Sequence, residues 1–338
     1  MERRHRPAWI MTCLVALIAV AAAARPAAAG EPAKVTYVMS WAPDARWAGE
    51  FLAKERGYYK AEGLEVNFTH QRGSLASLQQ VGAGAAEFGS PDGGDVIFAR
   101  EKGVPVRSVV LTARNTGVAF MSLKETNITK PEDLIGKKVG VQRASATFVG
   151  FQALMGKHNI DVEKLEKIEA AFGLEVLLLK KVDIRPVMLF NEYVLAQHKG
   201  IPVNVMWLPD FGIRLVGKTI STNEKTLKER PQVVQGFVNA SLRGMEEAVK
   251  DRKAAMDALL KNVPDLERAY QEKVWNMLAD KIMGVQDATR DRPFGSNDPD
   301  LFKSTIEVLT KYGTLKNPPA LDSVFDNRFV EAYYHGKR

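Results

Sequence analysis

The stretch that decides the fold is Val35-Thr-Tyr-Val-Met-Ser-Trp41-Ala-Pro43-Asp44-Ala-Arg-Trp47-Ala-Gly49-Glu-Phe51. Its first seven residues alternate like a β-strand, and Pro43-Asp44 predicts a tight turn that opens directly into a helix. The stretch therefore places two tryptophans, Trp41 and Trp47, at the carboxyl end of a strand. In open α/β sheets this edge is where small ligands bind, so we interpret it as one side of a ligand site.

Residues 1 to 29 have the three parts of a secretory signal peptide. A basic start at Arg3-Arg4-His5-Arg6 leads into an apolar stretch of about residues 10 to 24, which ends before Ala27-Ala28-Ala29. Because the apolar stretch is too short to span a bilayer, we expect it to be cleaved after export to the periplasm. A single membrane anchor is the alternative interpretation.

Composition argues against several classes of protein. The only cysteine, Cys13, lies inside the signal segment, so we expect neither disulfides nor thiolate metal sites in the mature chain. The formal net charge is +7, of which the signal segment carries +3, and the remainder is spread without long basic runs, which does not favour nucleic-acid binding. His70, His158 and His198 lack ligand spacing, so we predict no metal. Without a P-loop or nucleophile elbow, we also predict no cofactor and no catalysis.

Strand-like and helical runs alternate along the first two thirds of the mature chain, which predicts α/β architecture with parallel strands and right-handed crossovers. The predicted strands are Val35–Trp41, Glu65–Thr69, Glu87–Ser90, Val106–Leu111, Val118–Leu123, Lys138–Gln142, Leu165–Ala171 and Ile184–Phe190. The predicted helices between them are Trp47–Tyr59, Ser74–Gly84, Asp92–Lys102, Ser145–His158 and Asn191–Lys199.

After Lys218 the pattern predicts helices alone. They are Pro231–Lys250, Arg252–Asn262, Leu266–Met283, Pro299–Tyr312 and Ser323–Tyr334. Helices without strands of their own must bury their apolar faces on an existing sheet, and we assign them to the first unit.

The elements group into two α/β lobes. We predict that residues 30–117 and 218–338 form lobe 1 and that residues 118–217 form lobe 2, after a signal peptide at 1–29. Two chain crossings, near Gly117–Ala119 and near Asp210–Lys218, would then join the lobes, with a cleft between them that can close around a ligand. We expect a monomer, because no long exposed apolar stripe remains unassigned.

Aromatic and polar side chains at strand ends are the candidate ligand contacts. Trp41 and Trp47 offer broad π-faces, each contact adding about 0.5–1.5 kcal/mol beyond buried area. Asp44, Asn191 and Glu192 can pair with ring nitrogens, amines or carbonyls. The alternative for Trp47 is packing of the sheet against the first helix, and for Glu192 a favourable charge at a helix start.

Two helix starts supply further candidates. Ser90 and Asp92 lie between the third strand and its helix, where backbone N–H groups can meet ligand oxygens, although Asp92 alternatively serves only as a helix cap. Ser145, next to Arg143, repeats this arrangement in the second lobe and would serve an anionic ligand. Phe148 either closes an aromatic wall or belongs to the core.

Several motifs carry a resemblance to a known family. They are Trp41-x-Pro43, Ala48-Gly49-x-Phe51-x-Ala53, Gly57-Tyr58-Tyr59, Gly63-Leu64-x-Val66, Gly82-x-Gly84-x-Ala86-x-Phe88-Gly89, Arg100-x-x-Gly103-x-Pro105-Val106, Asp133-Leu134-x-Gly136-Lys137-Lys138-Val139-Gly140 and Asn239-Ala240-Ser241-Leu242-x-Gly244. Over nearly all of its mature length the chain resembles periplasmic substrate-binding proteins of ABC importers in the alkanesulfonate-binding and thiamine-pyrimidine-synthase-like family.

This resemblance implies a type II periplasmic-binding-protein fold that captures a small molecule for a membrane permease. Members that resemble riboflavin and pyrimidine-precursor receptors carry a Met-x-Tyr-Asn-Glu-type motif, which Met188–Tyr193 fits with Phe190 in place of Tyr. Residues 45–50 partly match a second run of the riboflavin receptors. The resemblance therefore implies an aromatic heterocycle, either a thiamine pyrimidine precursor or a riboflavin-like ring, and adds Phe190 to the candidate contacts.

Two alternatives follow from the same family. One is a receptor for an alkanesulfonate, nitrate or similar small anion. The other is a pyrimidine-forming enzyme that resembles these receptors in fold and uses a cysteine-rich motif. The absence of cysteine from the mature sequence argues against the enzyme.

Overall fold

The computed structural model describes residues 31–141, 146–169, 173–289, 291–312 and 315–337. The predicted signal peptide and the candidates Arg143 and Ser145 lie outside the described residues. Within these ranges no helix is both long enough and apolar enough to cross a bilayer.

The first lobe, lobe 1, is built on a mixed five-stranded sheet of order β2-β1-β3-β10-β4. Its strands are β1 (Ala33–Met39), β2 (Leu64–His70), β3 (Phe88–Ser90), β4 (Val106–Leu111) and β10 (Thr219–Asn223). Strand β1 runs parallel to β2 and β3, whereas β10 lies antiparallel between β3 and β4. The prediction of helices alone after Lys218 was therefore wrong, because β10 returns the chain to the middle of the first sheet.

The second lobe, lobe 2, carries another mixed five-stranded sheet, of order β7-β6-β8-β5-β9. Its strands are β5 (Val118–Leu123), β6 (Lys138–Val141), β7 (Glu166–Glu169), β8 (Ile184–Met188) and β9 (Val203–Trp207). Strand β5 is antiparallel to both of its neighbours, β8 and β9. The sequence analysis did not predict β9, and the two antiparallel insertions make both sheets mixed rather than purely parallel.

Helices cover both sheets. Those between the strands are α1 (Ala48–Glu55), α2 (Tyr58–Ala61), α3 (Ser74–Gly82), α4 (Gly93–Glu101), α5 (Ala146–Lys157), α6 (Glu175–Leu178) and α7 (Val194–His198). Those after β10 are α8 (Glu224–Glu229), α9 (Pro231–Lys250), α10 (Arg252–Asn262), α11 (Arg268–Met277), α12 (Pro299–Lys311) and α13 (Arg328–His335). Helix α9 packs on α1, and α12 packs on α4, so these two helices cover lobe 1.

The sequence analysis predicted the first and last residues of several strands and helices correctly. The strands Val106–Leu111 and Val118–Leu123 and the helix Arg252–Asn262 have the predicted bounds. The predicted helix Trp47–Tyr59 is instead divided, because Gly57 adopts a left-handed conformation with φ 71° between α1 and α2. The predicted helix Leu266–Met283 becomes α11 followed by a wider π-helical turn at Leu278–Ile282.

The two crossings between the lobes lie side by side, and a glycine belongs to each. A Cβ on Gly217 would lie 2.3 Å from the carbonyl oxygen of Ala113 and 2.6 Å from that of Asn115. A Cβ on Gly117 would lie 2.4 Å from the ring of Phe190. Fixed backbone oxygens exclude a side chain at Gly217, and a side chain at Gly117 would displace the Phe190 ring, so the connecting segments pack closely against each other and against Phe190.

Candidate functional site

A cavity of about 700 Å³ lies between the lobes. Its walls are largely apolar, with a few charged groups, as in many small-molecule sites. Six of the ten candidate residues line it: Trp41, Asp92, Phe148, Phe190, Asn191 and Glu192. Both lobes contribute, as expected for a cleft that buries its ligand on closure.

Trp41 follows β1 and lines this cavity. Its exposed fraction is 39%, which is high for a tryptophan. A broad aromatic face of this kind at a strand end is a suitable surface for stacking a flat ring.

Trp47, in contrast, is completely buried in the core of lobe 1. Its indole Nε1 donates a hydrogen bond to the Ser90 hydroxyl at 2.9 Å, and the same hydroxyl accepts one from the backbone N–H of Ser40 at 3.2 Å. Neither Trp47 nor Ser90 is among the residues that line the cavity. The alternative interpretation of Trp47, packing of the sheet against the first helix, describes its surroundings.

Asp44 caps the short 3₁₀ turn Ala45–Trp47. Its carboxylate accepts from the backbone N–H of Arg46 at 2.9 Å and from the Arg46 guanidinium at 2.7 Å. Asp44 lies outside the cavity wall, whereas Arg46 belongs to it, and the guanidinium carbon lies 5.7 Å from the centroid of the Phe190 ring. Asp44 thus positions an arginine that faces the second lobe.

The lobe 2 side of the cavity is formed by a π-helical turn at Leu189–Tyr193, directly after β8. The Glu192 carboxylate is buried, and its Oε2 accepts from the backbone N–H of Met188 at 3.0 Å. Asn191 Oδ1 accepts a hydrogen bond from the Tyr270 hydroxyl at 3.1 Å. A wide turn at this point leaves three consecutive candidates, Phe190 to Glu192, on the cavity surface.

The Tyr270–Asn191 hydrogen bond joins the two lobes, because Tyr270 belongs to α11 on lobe 1. Nearby, Nε2 of His198 lies 2.9 Å from Glu267 Oε1 in a second contact between the lobes. Burial, followed by the carboxylates of Asp44 and Glu192, raises the pKa of Tyr270 to about 12, so its hydroxyl remains a donor at neutral pH. We call these two interactions the α11 contact.

Charged groups that the sequence analysis missed lie on the lobe 1 side. Lys218, Glu50 and Asp95 all line the cavity. Burial, together with the charge of Arg46, lowers the pKa of Lys218 to about 7. Burial, together with the carboxylate of Asp92, raises the pKa of Asp95 to about 7. Single charged residues in strands and helices resemble surface positions in a sequence, and only their folded surroundings distinguish them.

Two further carboxyl groups complete this charged region. Glu50 is buried and accepts a hydrogen bond from the Tyr37 hydroxyl at 3.0 Å. Burial raises the pKa of Glu50 against the opposing effect of Lys218, and burial likewise raises the pKa of Asp92. Within the described ranges, no group of three or more histidine, cysteine, aspartate or glutamate residues is placed to hold a metal ion. The aromatic and charged residues that line the cavity offer stacking and hydrogen bonding.

Two five-stranded α/β lobes, two crossings and an aromatic cleft define the periplasmic-binding-protein fold. Among solved structures, the chain is similar to the putative sulfonate ABC transporter periplasmic sulfonate-binding protein SsuA from Methylobacillus flagellatus, with a TM-score of 0.70 and 14% identity over 91% of this chain and 95% of that one. At this identity the likeness concerns the fold alone.

Sequence relatives identify the family. The family described as NMT1/THI5 like matches residues 44–255, and the chain belongs to this family. It is 27% identical to the riboflavin-binding protein RibY of Chloroflexus aurantiacus over 323 residues, 92% of this chain and 91% of RibY. It is 24% identical to the formylaminopyrimidine-binding protein of Halalkalibacterium halodurans over 327 residues, 94% of this chain and 98% of that protein.

Proposed function

We propose that this protein is the solute-binding component of an ABC importer, which captures a small aromatic heterocycle between its lobes and presents it to a membrane permease. The observation that carries the proposal is the position of Trp41 on one side of the cavity and of Phe190, Asn191 and Glu192 on the other. An aromatic face can stack the ring while the polar groups pair with its edge.

The names of two relatives support the class of ligand. RibY and the formylaminopyrimidine-binding protein are both named for flat nitrogen heterocycles, and each aligns with more than nine tenths of this chain. A cavity of about 700 Å³ has the size of typical small-molecule sites. Riboflavin and formylaminopyrimidine are therefore the first ligands to test.

The place and mode of action complete the proposal. The signal-like first 29 residues support export to the periplasm and cleavage of the signal peptide. There the mature protein would act as a monomeric receptor without catalytic activity. Lobe 1 would comprise residues 30–117 and 218–338, and lobe 2 residues 118–217. Incubation with either heterocycle, followed by mass spectrometry, should recover the ligand unchanged; a new product would instead support an enzyme.

Isothermal titration of the purified protein tests the ligand class. We expect one of riboflavin and formylaminopyrimidine to bind one-to-one at micromolar concentration or tighter, and taurine and nitrate not to bind. Binding of taurine or nitrate with neither heterocycle would overturn the proposal in favour of an anion receptor.

A matched pair of variants connects binding to the cavity. Trp41→Ala should weaken binding at least tenfold, because it removes the exposed aromatic face. Ile135→Ala is the control: Ile135 is an exposed apolar residue, 61% accessible, and it lies outside the cavity wall. Equal affinity of the two variants would show that Trp41 does not contact the ligand.

A further inference from the structure

Asp92 and Lys218 are neighbours across the junction of β3 and β10. An isolated antiparallel bridge pairs the two residues, with Gly93 N donating to Gly217 O at 2.7 Å and Thr219 N donating to Pro91 O at 2.8 Å. Residues directly opposite each other in an antiparallel pair send their side chains to the same face. Both side chains line the cavity.

These two side chains do not satisfy each other. Lys218 Nζ is buried and has no hydrogen-bond partner among the described residues. Asp92 stands at the N-cap position of α4, yet its carboxylate accepts no capping hydrogen bond from that helix. A buried donor without an acceptor costs stability, so a ligand that supplies the acceptor recovers that free energy on binding.

The candidates on lobe 2 differ in this respect. Asn191 Oδ1 already accepts from Tyr270, and Glu192 Oε2 already accepts from the Met188 backbone. The side chains of Lys218 and Asp92 can therefore pair with a ligand without breaking a protein hydrogen bond.

The surroundings of Lys218 hold its amine in place. Nζ lies 3.4 Å from the centroid of the Trp47 ring, a favourable cation–π position. The charged groups that act on it are Arg46, Glu50, Asp44 and Asp92. Trp47 in turn is fixed by its hydrogen bond to Ser90. The buried tryptophan thus packs directly against the lysine amine.

We propose that Lys218 and Asp92 together recognise one edge of the ligand ring, where Lys218 donates to a ring acceptor and Asp92 accepts from the neighbouring N–H. This inference rests on the proposed function and specifies its ligand: a heterocycle with an acceptor and an N–H side by side. The imide edge of a flavin and the amino edge of a pyrimidine both have this chemistry.

The first test compares Lys218→Met with Lys102→Met. Met has the length of lysine without its donor, and Lys102 is an exposed lysine after α4 that pairs with Glu101. For whichever of riboflavin and formylaminopyrimidine the wild-type protein binds, Lys218→Met should lose at least tenfold in affinity, whereas Lys102→Met should stay within twofold.

The second test uses the ligand. Methylation at N3 of riboflavin removes the N–H and retains the carbonyls, so 3-methylriboflavin should bind wild type at least tenfold more weakly than riboflavin. In Asp92→Ala the two affinities, for riboflavin and for 3-methylriboflavin, should differ by less than threefold. If formylaminopyrimidine binds in place of riboflavin, Asp92→Ala should instead weaken that binding at least tenfold.

Three outcomes separate the inference from the proposed function. Folded Lys218→Met and Asp92→Ala proteins that bind within twofold of wild type would overturn the inference and leave the proposed function standing. If Lys218→Met does not fold, Lys218→Leu, which also lacks a donor, replaces it, and affinity within twofold of wild type overturns the inference in the same way. Failure of wild type to bind either heterocycle would overturn the proposed function, and the edge recognition with it.

Discussion

The indole of Trp47 and the hydroxyl of Ser90 are joined by a 2.9 Å hydrogen bond inside lobe 1. This bond connects the start of α1 to the end of β3, and it holds Trp47 in the core, whereas Trp41 lines the cavity. Two indoles only six positions apart therefore serve different purposes, and substitutions should separate them.

Trp47→Phe should lower the free energy of unfolding by about 1–3 kcal/mol, because a buried hydroxyl loses its donor and a small void is left. Trp41→Phe should change it by less than about 0.5 kcal/mol, as expected for an exposed side chain. Urea unfolding followed by circular dichroism measures both. Equal losses would contradict the assignment of Trp47 to the core.

Close packing of α1 on α9 depends on glycine. A Cβ on Gly244 would lie 2.4 Å from the carbonyl oxygen of Gly49 and 2.6 Å from Cβ of Ala53. Gly244→Ala should therefore destabilise the protein by about 1–3 kcal/mol through overpacking, despite the better helix propensity of alanine. Gly94→Ala is the control, since a Cβ at Gly94 would have nothing within 4 Å, and it should be neutral or stabilising by up to about 1 kcal/mol. The midpoints of thermal unfolding of both variants test this, and equal midpoints would contradict overpacking at Gly244.

The raised pKa of Asp95 makes stability depend on pH. Burial and Asp92 raise this pKa from 3.8 to about 7, so between these values the folded protein holds a proton that the unfolded chain has released. Stability conferred by this group therefore falls as pH rises from about 4 to 7. The free energy of unfolding of Asp95→Asn should rise relative to that of wild type by roughly 2–4 kcal/mol as the pH is raised from 4 to 8. Urea midpoints at several pH values test this, and parallel curves for the two proteins would refute it.

The α11 contact should favour the closed arrangement of the lobes. Tyr270→Phe removes the hydrogen bond to Asn191, worth about 0.5–1.5 kcal/mol, and should accelerate ligand dissociation by roughly two- to tenfold. Tyr333→Phe is the control, because its hydroxyl bonds Glu246 within lobe 1. Stopped-flow dissociation of the heterocycle that binds in the titration measures both. Identical rates for the two variants would show that the contact does not hold the lobes together.

Local sequence signals predicted most of the strands and helices because apolar periodicity and glycine stops act within one element. Gly84 and Gly103, for example, adopt positive φ at the ends of the predicted helices Ser74–Gly84 and Asp92–Lys102. The sequence analysis did not predict strand β10, because its sequence Thr-Ile-Ser-Thr-Asn resembles a polar loop. Its side chains are satisfied by distant backbone: Thr222 donates to Glu87 O and Asn223 to Val81 O. Such pairing exists only after folding.

The candidate site was predicted in the same uneven way. Trp41 and residues 190–192 were predicted because aromatic and polar residues at strand ends are typical of a cleft, and they line the cavity. Lys218 was missed because its burial depends on Trp47 and Asp92, which are far away in sequence. Trp47 was assigned to the ligand because a strand-end pattern does not reveal which of two indoles turns inward.

The position of β10 also determines which of the two sheets can be completed first during synthesis. Because β10 fills the space between β3 and β4, the amino-terminal sheet has two separate pieces until residue 223 has been synthesised. The second sheet uses one continuous segment, residues 118–207, and can assemble before the first is complete.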